Sequence, residues 1–275
     1  MSTLGVTKSM AVFCDFENIA LGVKDANYAK FDMQLVLEKL LLKGTIIVKK
    51  AYCDWSRYRE FKPSMHEASF ELIDIPHLRQ SGKNSADIRM VVDALDLCYT
   101  KSHVRTFVIV SGDSDFSPLV SKLRENNKVV VGVGVKNSSS DLLIANCDEF
   151  IYYDDLVRAK EQEKAKTAKR RAPAKKKTST AKSKEEGDDE DRSGEGIALV
   201  VNMAEELLAD RGGEDKVWGS MIKQTLKRRQ PGFSESYYGF KSFNQLLEEA
   251  GRRKLLTFQR DEKSGGYVIT SVALG

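Results

Sequence analysis

The sequence predicts an α/β domain built on a parallel sheet with helices on both faces, then a charged linker and a small C-terminal domain. Residues 10–155 alternate helix-like segments with short runs that are apolar on both faces. Such runs are typical of strands in parallel sheets that helices cover on both sides. The composition changes abruptly at Arg158, and globular patterning returns at Gly194. These two changes predict the domain boundaries.

Six strands are expected in the first segment. They are MAVFCDF, TIIVKKAYC, FELIDI, TFVIVSG, KVVVGVGV and, as a candidate sixth, EFIYY, at residues 10–16, 45–53, 70–75, 106–112, 128–135 and 149–153. Helices are expected between them, at residues 31–43, 56–68, 85–99 and 118–127. In parallel sheets, ligands bind beyond the carboxyl ends of the strands, near a switch in strand order. Functional residues are therefore expected where the strands end.

The linker comprises residues 158–193. It is rich in Lys, Arg and Ala, including KRRAPAKKK at 169–177, and then carries the acidic block EEGDDED at 185–191. Almost no large apolar residue is present, so the segment cannot bury a core. We expect disorder, apart from some helix that continues past Val157. The basic run either attracts nucleic acid through its charge or serves as a solvated tether.

Residues 194–275 predict a winged helix-turn-helix. GIALVVNMAEELLADRG has the pattern of an amphipathic helix, VWGSMIKQTLKRRQP of a second helix stopped by Pro231, and FKSFNQLLEEAGRRK of a third. LLTFQRDEKSGGYVIT resembles a β-hairpin with its turn at KSGG. This combination is typical of domains that bind nucleic acids or protein partners.

Composition argues against several classes of function. The 275 residues carry a net charge of +4 and no apolar run near the roughly 20 residues of a membrane helix, so we expect a soluble cytoplasmic protein without a membrane partner. The four cysteines form no C-x-x-C pair, which favours buried reduced thiols. The three histidines are isolated, so a Ser-His-Asp triad or a histidine metal site has little support. No nucleotide-binding glycine motif is complete.

Carboxylates follow two of the expected strands. The first strand ends at Asp15 in FCDFENIA, and the fourth leads into SGDSD, which contains Asp113 and Asp115. These side chains are expected on the same rim of the sheet, where like charges repel each other. Mg²⁺ or Mn²⁺ relieves such repulsion and prefers oxygen ligands. A site of this kind can activate water for attack on a phosphodiester.

Helix capping is the simpler explanation for these aspartates. Ser117 and Pro118 already supply a start signal for the next helix, with serine at the N-cap and proline at the first helical position. Asp113 and Asp115 are then left without an obvious capping role. Together with Asp15 on the same rim, this favours metal binding.

Five further residues are candidates with open roles. Asp87 is either a ligand or a favourable charge in the first turn of its helix, and Lys83 lies one helical turn before it. Lys83 would contact the scissile phosphate or pair with Asp87. Asp141 stands at another helix start and either completes the site or acts locally there. Asn18 either caps the first helix or supports the metal site, and Ser111 could hydrogen-bond a carboxylate or phosphate.

Three motifs resemble those of NYN domains, which are PIN-like nucleases that include the bacterial LabA-type proteins. They are DFEN at 15–18, KNSAD at 83–87 and SGDSDF at 111–116. The resemblance covers roughly residues 8–157, and we assign residues 1–157 to this domain. It implies a PIN-like three-layer α/β/α fold and ribonuclease activity that depends on Mg²⁺ or Mn²⁺.

The same resemblance implies a set of catalytic and metal-binding residues. The family's acidic positions fall on Asp15, Asp87, Asp113 and Asp115. The fourth ligand stays open between Asp115 and Asp141.

Residues 194–271 resemble a LOTUS domain, also called OST-HTH, and we assign residues 194–275 to this domain. The resemblance rests on WGSMIK at 218–223, PGF at 231–233 and YGFKSFNQLLE at 238–248. LOTUS domains are associated with RNA binding, and some bind helicases instead. Cations on the expected helix-and-wing face suit phosphate contacts. Tyr237 is the aromatic residue of this domain that is most expected to be exposed. The candidate RNA-binding residues are Lys223, Lys227, Arg228, Arg229, Tyr237, Lys241, Arg252, Arg253 and Lys254.

These features predict a metal-dependent ribonuclease that recruits RNA through its C-terminal domain and basic linker. The alternative is a catalytically silent adaptor that binds RNA or a protein partner and carries a vestigial acidic site. The sequence leaves DNA open as a substrate, because a carboxylate site does not itself recognise the 2′-hydroxyl.

Overall fold

Six parallel strands form the sheet of the N-terminal unit, within the residues that this computed structural model describes: 9–76, 85–171, 185–210, 216–261 and 265–273. The strands are β1 (Ser9–Asp15), β2 (Thr45–Cys53), β3 (Glu71–Asp74), β4 (Val104–Val110), β5 (Val129–Gly134) and β6 (Glu149–Tyr152). Their order is β3-β2-β1-β4-β5-β6. The predicted parallel sheet is confirmed, including its sixth strand.

The strand order changes direction between β1 and β4. From β1 the chain adds β2 and β3 on one side of the sheet, and β4, β5 and β6 on the other side. Cys14 pairs with Val110, so the carboxyl ends of β1 and β4 lie side by side. A crevice forms at such a switch point because the connections leave the two strand ends in opposite directions.

Helices cover both faces of this sheet. They are α1 (Phe16–Asp25), α2 (Met33–Leu41), α3 (Lys62–Glu67), α4 (Ser85–Thr100), α5 (Ser117–Glu125), α6 (Asp141–Asn146) and α7 (Tyr153–Arg171). Successive side chains of a strand point to opposite faces. Val12 and Cys14 of β1 therefore pack with the core under α1, α2, α3 and α7, whereas Ala11 and Phe13 pack with α4, α5 and α6. The result is the expected three-layer α/β/α arrangement.

The described residues of the C-terminal unit form three helices and a small antiparallel sheet. The helices are α8 (Glu185–Asp210), α9 (Gly219–Arg229) and α10 (Phe243–Arg252), and the strands are β7 (Val217–Trp218), β8 (Leu256–Arg260) and β9 (Tyr267–Val272). The strand order is β7-β9-β8. One prediction is wrong: Val217 and Trp218 belong to a strand rather than to the second helix, because they pair with Ile269 and Val268.

The described parts of the linker agree with the helix predicted past Val157 but not with the disorder predicted at residues 185–193. Residues 158–171 continue α7, and residues 185–193 form the start of α8. Lys, Glu and Ala are strong helix formers, and they extend α7 beyond the turn that buries Tyr153. Residues 185–193 are mostly acidic, and negative charge is favourable at the start of a helix whose later turn buries Ile197. Residues 172–184 lie outside the described residues.

Two expectations from composition concern the cysteines and the membrane. The four cysteines are free and buried, as predicted. Within the described ranges, every helix is too short or too polar to cross a bilayer.

Candidate active site at the carboxyl end of the sheet

A cleft of about 390 Å³ opens at the carboxyl end of the sheet. The ends of β1 and β2, the exposed side of α1 and the first turn of α4 contribute to its lining. The acidic side chains in this lining are Asp15, Glu17, Asp54, Asp87 and Asp113. The structure therefore brings three of the predicted catalytic aspartates to one cavity.

Asp15 is the most buried of these carboxylates, with 7% of its surface exposed. Its Oδ1 accepts a hydrogen bond from the backbone N–H of Asn18 at 3.3 Å, and its Oδ2 accepts one from Ser111 Oγ at 3.0 Å. Asp15 is therefore the residue that caps α1, and the alternative in which Asn18 caps this helix is wrong.

Asn18 joins the two central strand ends instead. Its Oδ1 accepts a hydrogen bond from the backbone N–H of Gly112 at 2.8 Å. Gly112 itself packs closely against the loop before α6: a Cβ added there would lie 2.4 Å from the carbonyl oxygen of Ser138. These contacts fix the turn that carries Asp113.

Asp113 also has a capping role, which corrects the sequence prediction. Its Oδ1 accepts from the backbone N–H of Asp115 at 2.9 Å and caps a 3₁₀ turn over Ser114–Phe116. This additional turn places Ser117 inside α5 rather than at its N-cap. The buried Ser117 Oγ finds no hydrogen-bond partner among the described residues. Asp113 therefore both caps this turn and belongs to the acidic cluster of the cleft.

The cleft disfavours the charged form of Asp15. Burial raises the pKa of Asp15 to about 7, and the negative charges of Asp87 and Asp113 raise it as well. Hydrogen bonds from Ser111 and Asn18 act in the opposite direction. A positive charge bound in the cleft would favour the ionised carboxylate.

Asp87 shares this environment. Burial raises the pKa of Asp87, and Asp113, Asp115 and Glu17 raise it further through their charges. The four aspartates predicted to be catalytic therefore interact electrostatically, although Asp115 itself is exposed on the 3₁₀ turn. Among the described residues, no three His, Cys, Asp or Glu side chains stand close enough together to hold a metal ion as arranged.

Asp141, the alternative fourth ligand, is not among the described residues that line the cleft. Asp141 is an exposed residue at the start of α6, which Ser140 caps by accepting from Leu142 N–H at 3.2 Å. The backbone N–H of Ser140 donates to the carbonyl of Gly112 at 2.9 Å, so this helix begins beside the rim of the cleft. Lys83 lies outside the described residues.

Three charged residues that line the cleft are not among the predicted site residues: Glu17, Asp54 and Arg57. Arg57 Nη1 and Glu17 Oε1 form an ion pair at 2.8 Å. Asp54 is nearly buried and accepts from the backbone N–H of Ser56 at 3.0 Å. Asp54 directly follows β2, so the rule that singled out Asp15 at a strand end could have found it.

The candidate RNA-binding cations of the C-terminal unit other than Lys227 fall into two groups. The first group is paired with carboxylates: Lys223 with Glu235 at 2.6 Å, Arg229 with Glu206, and both Arg252 and Arg253 with Glu249, at 2.7 and 2.9 Å. The second group, Arg228, Lys241 and Lys254, is exposed and belongs to no ion pair within the described residues.

Lys227 and Tyr237 are partly buried. The Tyr237 ring lies 5.9 Å from the guanidinium of Arg192, so it has a cation beside it.

Comparisons with known proteins identify the N-terminal domain. The family model of the NYN domain matches residues 9–154. The chain is 25% identical over 148 residues to "Meiosis regulator and mRNA stability factor 1" of Bos taurus. The match covers 54% of this chain but only 8% of the length of that protein. A crystal structure of a protein of unknown function from Vibrio parahaemolyticus matches with a TM-score of 0.50 and 26% identity, over 57% of this chain and 98% of that chain.

These findings agree with the parallel α/β architecture and with the carboxylate cleft at its switch point. NYN domains are typically nucleases. The chain belongs to the NYN domain family.

Proposed function

We propose that this protein is a metal-dependent ribonuclease and that the carboxylate cleft is its active site. The observation that carries the proposal is the burial of Asp15 in a cavity that it shares with Asp87 and Asp113. Their charges raise the pKa of Asp15 beyond what burial alone does, so the cleft is unfavourable for a set of bare carboxylates. Clusters of carboxylates with raised pKa values are typical of functional sites, which is why we assign this cluster a catalytic role.

The donor chemistry of the cluster fits Mg²⁺ or Mn²⁺, because hard divalent cations prefer carboxylate oxygens. The residues that would hold the ion are Asp15, Asp87 and Asp113, with Asp115 as the fourth. We favour Asp115 over Asp141 because its charge acts on Asp87. A bound ion would supply an activated water and offset negative charge on the phosphate.

The other residues of the cleft orient this cluster. Ser111 and the first turn of α1 hold the two oxygens of Asp15, and Asn18 holds the backbone of the turn at Gly112. Arg57, kept beside the cleft by Glu17, is placed to attract a phosphate group. Lys83 would be a second phosphate contact or a partner of Asp87.

We further propose that the C-terminal unit is a LOTUS domain that recruits RNA, assisted by the basic linker. Its three helices and antiparallel hairpin are typical of a winged helix-turn-helix, and the exposed cations Arg228, Lys241 and Lys254 suit contacts to phosphates. A helicase would be the alternative partner of this domain.

The test of the catalytic proposal is a cleavage assay with end-labelled single-stranded RNA, in Mn²⁺ and in EDTA. Asp113→Asn is compared with the matched variant Asp96→Asn, which alters an exposed aspartate of α4. We expect Asp113→Asn to lower the cleavage rate at least about 100-fold and Asp96→Asn to leave it unchanged.

Cleavage that persists in EDTA or in Asp113→Asn would overturn the mechanism. Binding of RNA without cleavage under every condition would instead favour the silent adaptor. The same assay on Asp115→Asn and Asp141→Asn identifies the fourth ligand: we expect a large loss for Asp115→Asn alone.

A further inference from the structure

A second groove, of about 370 Å³, adjoins the carboxylate cleft. Both cavities include Leu21 and Arg57 in their linings, so they are neighbours on the surface of the N-terminal unit. The second groove also contains aromatic rings and cations, and we name it the aromatic-basic groove. The members used below are Lys24, Lys30, Arg57, Tyr58 and Phe61.

The aromatic rings of this groove are supported from the core. Phe16 is fully buried, and the rings of Tyr58 and Phe61 pack edge-on against it, at centroid distances of 5.6 and 5.1 Å. Both rings remain partly exposed where they line the groove. Two ordered aromatic surfaces are thus available to a planar ligand at low entropic cost, because their conformation is already fixed.

Cations surround these rings. Lys24 and Lys30 are exposed, and Lys30 Nζ lies 4.7 Å from the centroid of the Phe61 ring and 3.2 Å from the carbonyl oxygen of Glu60. Arg57 stands at the boundary with the carboxylate cleft. The two cavities therefore have opposite character: carboxylates dominate one, whereas the described residues that line the other include three cations and one carboxylate, Glu60.

We propose that the aromatic-basic groove binds the nucleotide next to the scissile phosphate of a single-stranded RNA, with its base on Tyr58 or Phe61 and its backbone phosphate near Lys24 and Lys30. This inference rests on the proposed function. Unpaired bases stack on aromatic side chains, and phosphates are attracted by lysine and arginine. The groove favours single strands because the bases of a duplex are stacked on one another and cannot reach these rings.

The Tyr58 hydroxyl adds a polar contact. Burial raises the pKa of Tyr58 to about 12, and the charge of Glu17 contributes, so the hydroxyl is protonated at neutral pH. It can therefore donate a hydrogen bond to a base or a phosphate oxygen. Tyr58 follows Arg57, which lines both cavities, so the ring belongs to the part of the groove next to the acidic cleft.

The first test measures binding by the full chain in an Asp113→Asn background, in Mg²⁺, with RNA integrity checked on gels. Lys24→Gln/Lys30→Gln is compared with Lys101→Gln/Arg105→Gln, which removes the same charge beyond α4 and at the amino end of β4. We expect the groove variant to bind a fluorescent single-stranded RNA about tenfold more weakly and the control to bind unchanged. Equal affinities would overturn the proposal.

The second test locates the base directly. A single-stranded RNA with one photoreactive 4-thiouridine is cross-linked to the full chain, and the attached peptide is identified by mass spectrometry. We expect cross-links within residues 57–62 and their loss in Tyr58→Leu/Phe61→Leu, with Tyr58→Phe as the folding-neutral second variant that lowers affinity without losing the cross-link. Cross-links that map only elsewhere would refute the assignment.

Duplex RNA and single-stranded DNA of the same sequence form the comparison arms. We expect the groove substitutions to leave duplex affinity unchanged, and an equal loss for duplex and single strand would contradict the preference for unpaired bases. The proposed contacts are to base and phosphate, so we expect an equal loss for single-stranded DNA, and no loss for DNA would contradict those contacts.

The two proposals fail in different ways. If the wild type cleaves RNA and the groove variants bind RNA as tightly as the control, only the groove proposal is refuted. Groove-dependent binding without any cleavage sinks the ribonuclease proposal and leaves the groove as part of an RNA-binding adaptor.

Discussion

Ser111 Oγ lies 3.0 Å from Asp15 Oδ2 and 3.2 Å from the backbone nitrogen of Asp113. The hydroxyl donates to the carboxylate and accepts from the N–H, so one buried side chain joins the ends of β1 and β4. It also connects a residue that caps α1 to one that caps the 3₁₀ turn before α5. The position of both carboxylates therefore depends on this serine.

Ser111→Ala should raise the pKa of Asp15 further, because it removes a hydrogen bond that favours the ionised carboxylate. If ionised Asp15 is required for cleavage, activity rises with pH through this pKa. The midpoint of that rise should move upward by about one pH unit, with a loss of about 1–2 kcal/mol in stability. The pH profile of kcat/KM measures the shift, and Ser114→Ala is the neighbouring control. An unmoved midpoint would contradict the role given to Ser111.

Asp15→Asn should stabilise the metal-free protein at pH 8. The pKa of Asp15 is about 7 in the folded protein, above its usual value near 4, so the folded state binds the proton more tightly than the unfolded state does. Wild-type stability therefore falls as pH rises from about 4 to about 7 and stays level above that. The amide mimics the neutral acid and should abolish this fall, which amounts to a few kcal/mol. Urea unfolding in EDTA at pH 5 and pH 8 measures the free energy of unfolding of both proteins. A wild type that is equally stable at both pH values would contradict the prediction.

At pH 8, Mn²⁺ should make the wild type more stable than Asp15→Asn, the reverse of the order expected without metal. An ion that binds the ionised cluster stabilises the folded wild type by mass action, but it has a weaker site in Asp15→Asn. Melting curves with and without Mn²⁺ should show a rise in Tm for the wild type only. An equal rise in both proteins would place the ion elsewhere.

Asn18→Ala should cost about 1–3 kcal/mol, because the N–H of Gly112 loses its acceptor at 2.8 Å in a buried turn. Asn18→Asp keeps an acceptor at this position but adds a charge beside Asp15. We expect Asn18→Asp to retain more stability at pH 5 than at pH 8. Urea unfolding compares the two variants, and similar losses at both pH values would argue against the charge effect.

Gly112→Ala should impair both folding and cleavage. Its Cβ would lie 2.4 Å from the Ser138 carbonyl oxygen and 2.9 Å from the Ser139 Cα, so the backbone must shift at the turn that carries Asp113. Overpacking of this kind costs about 1–3 kcal/mol. Gly194→Ala is the control, because a Cβ at this helical position meets nothing within 4 Å. That variant should be neutral or stabilising.

Arg228→Gln, Lys241→Gln and Lys254→Gln should each weaken RNA binding and reduce its salt dependence. These cations are exposed and outside any ion pair within the described residues, so they can release counterions when they meet phosphates. Arg252→Gln should have a smaller effect, because Glu249 already pairs with that side chain at 2.7 Å. Affinity measured across a salt series separates the two groups. A larger loss for Arg252→Gln would reverse the assignment.

Local patterns were sufficient to predict most of the fold. The apolar runs at β1 and β4 indicate buried strands wherever they occur in a chain, and the position of Asp15 at the end of β1 follows from sequence adjacency. The motif residues and the separate C-terminal unit could be predicted for the same reason. Capping was harder: one additional 3₁₀ turn moved Ser117 into α5 and gave Asp113 the cap.

Tertiary structure decided which of these residues meet. Asp15 and Ser111 are 96 residues apart, and only the strand order β3-β2-β1-β4-β5-β6 makes them neighbours. The same order and burial bring Asp54 and Arg57 to the cleft and raise the pKa of Asp15 to about 7. Hydrophobic periodicity is a property of consecutive residues, whereas strand pairing and desolvation arise from contacts between distant segments. The sequence by itself therefore determined most of the elements and the carboxylates at the strand ends, and the packing of those elements decided the geometry of the cleft and the pKa of Asp15.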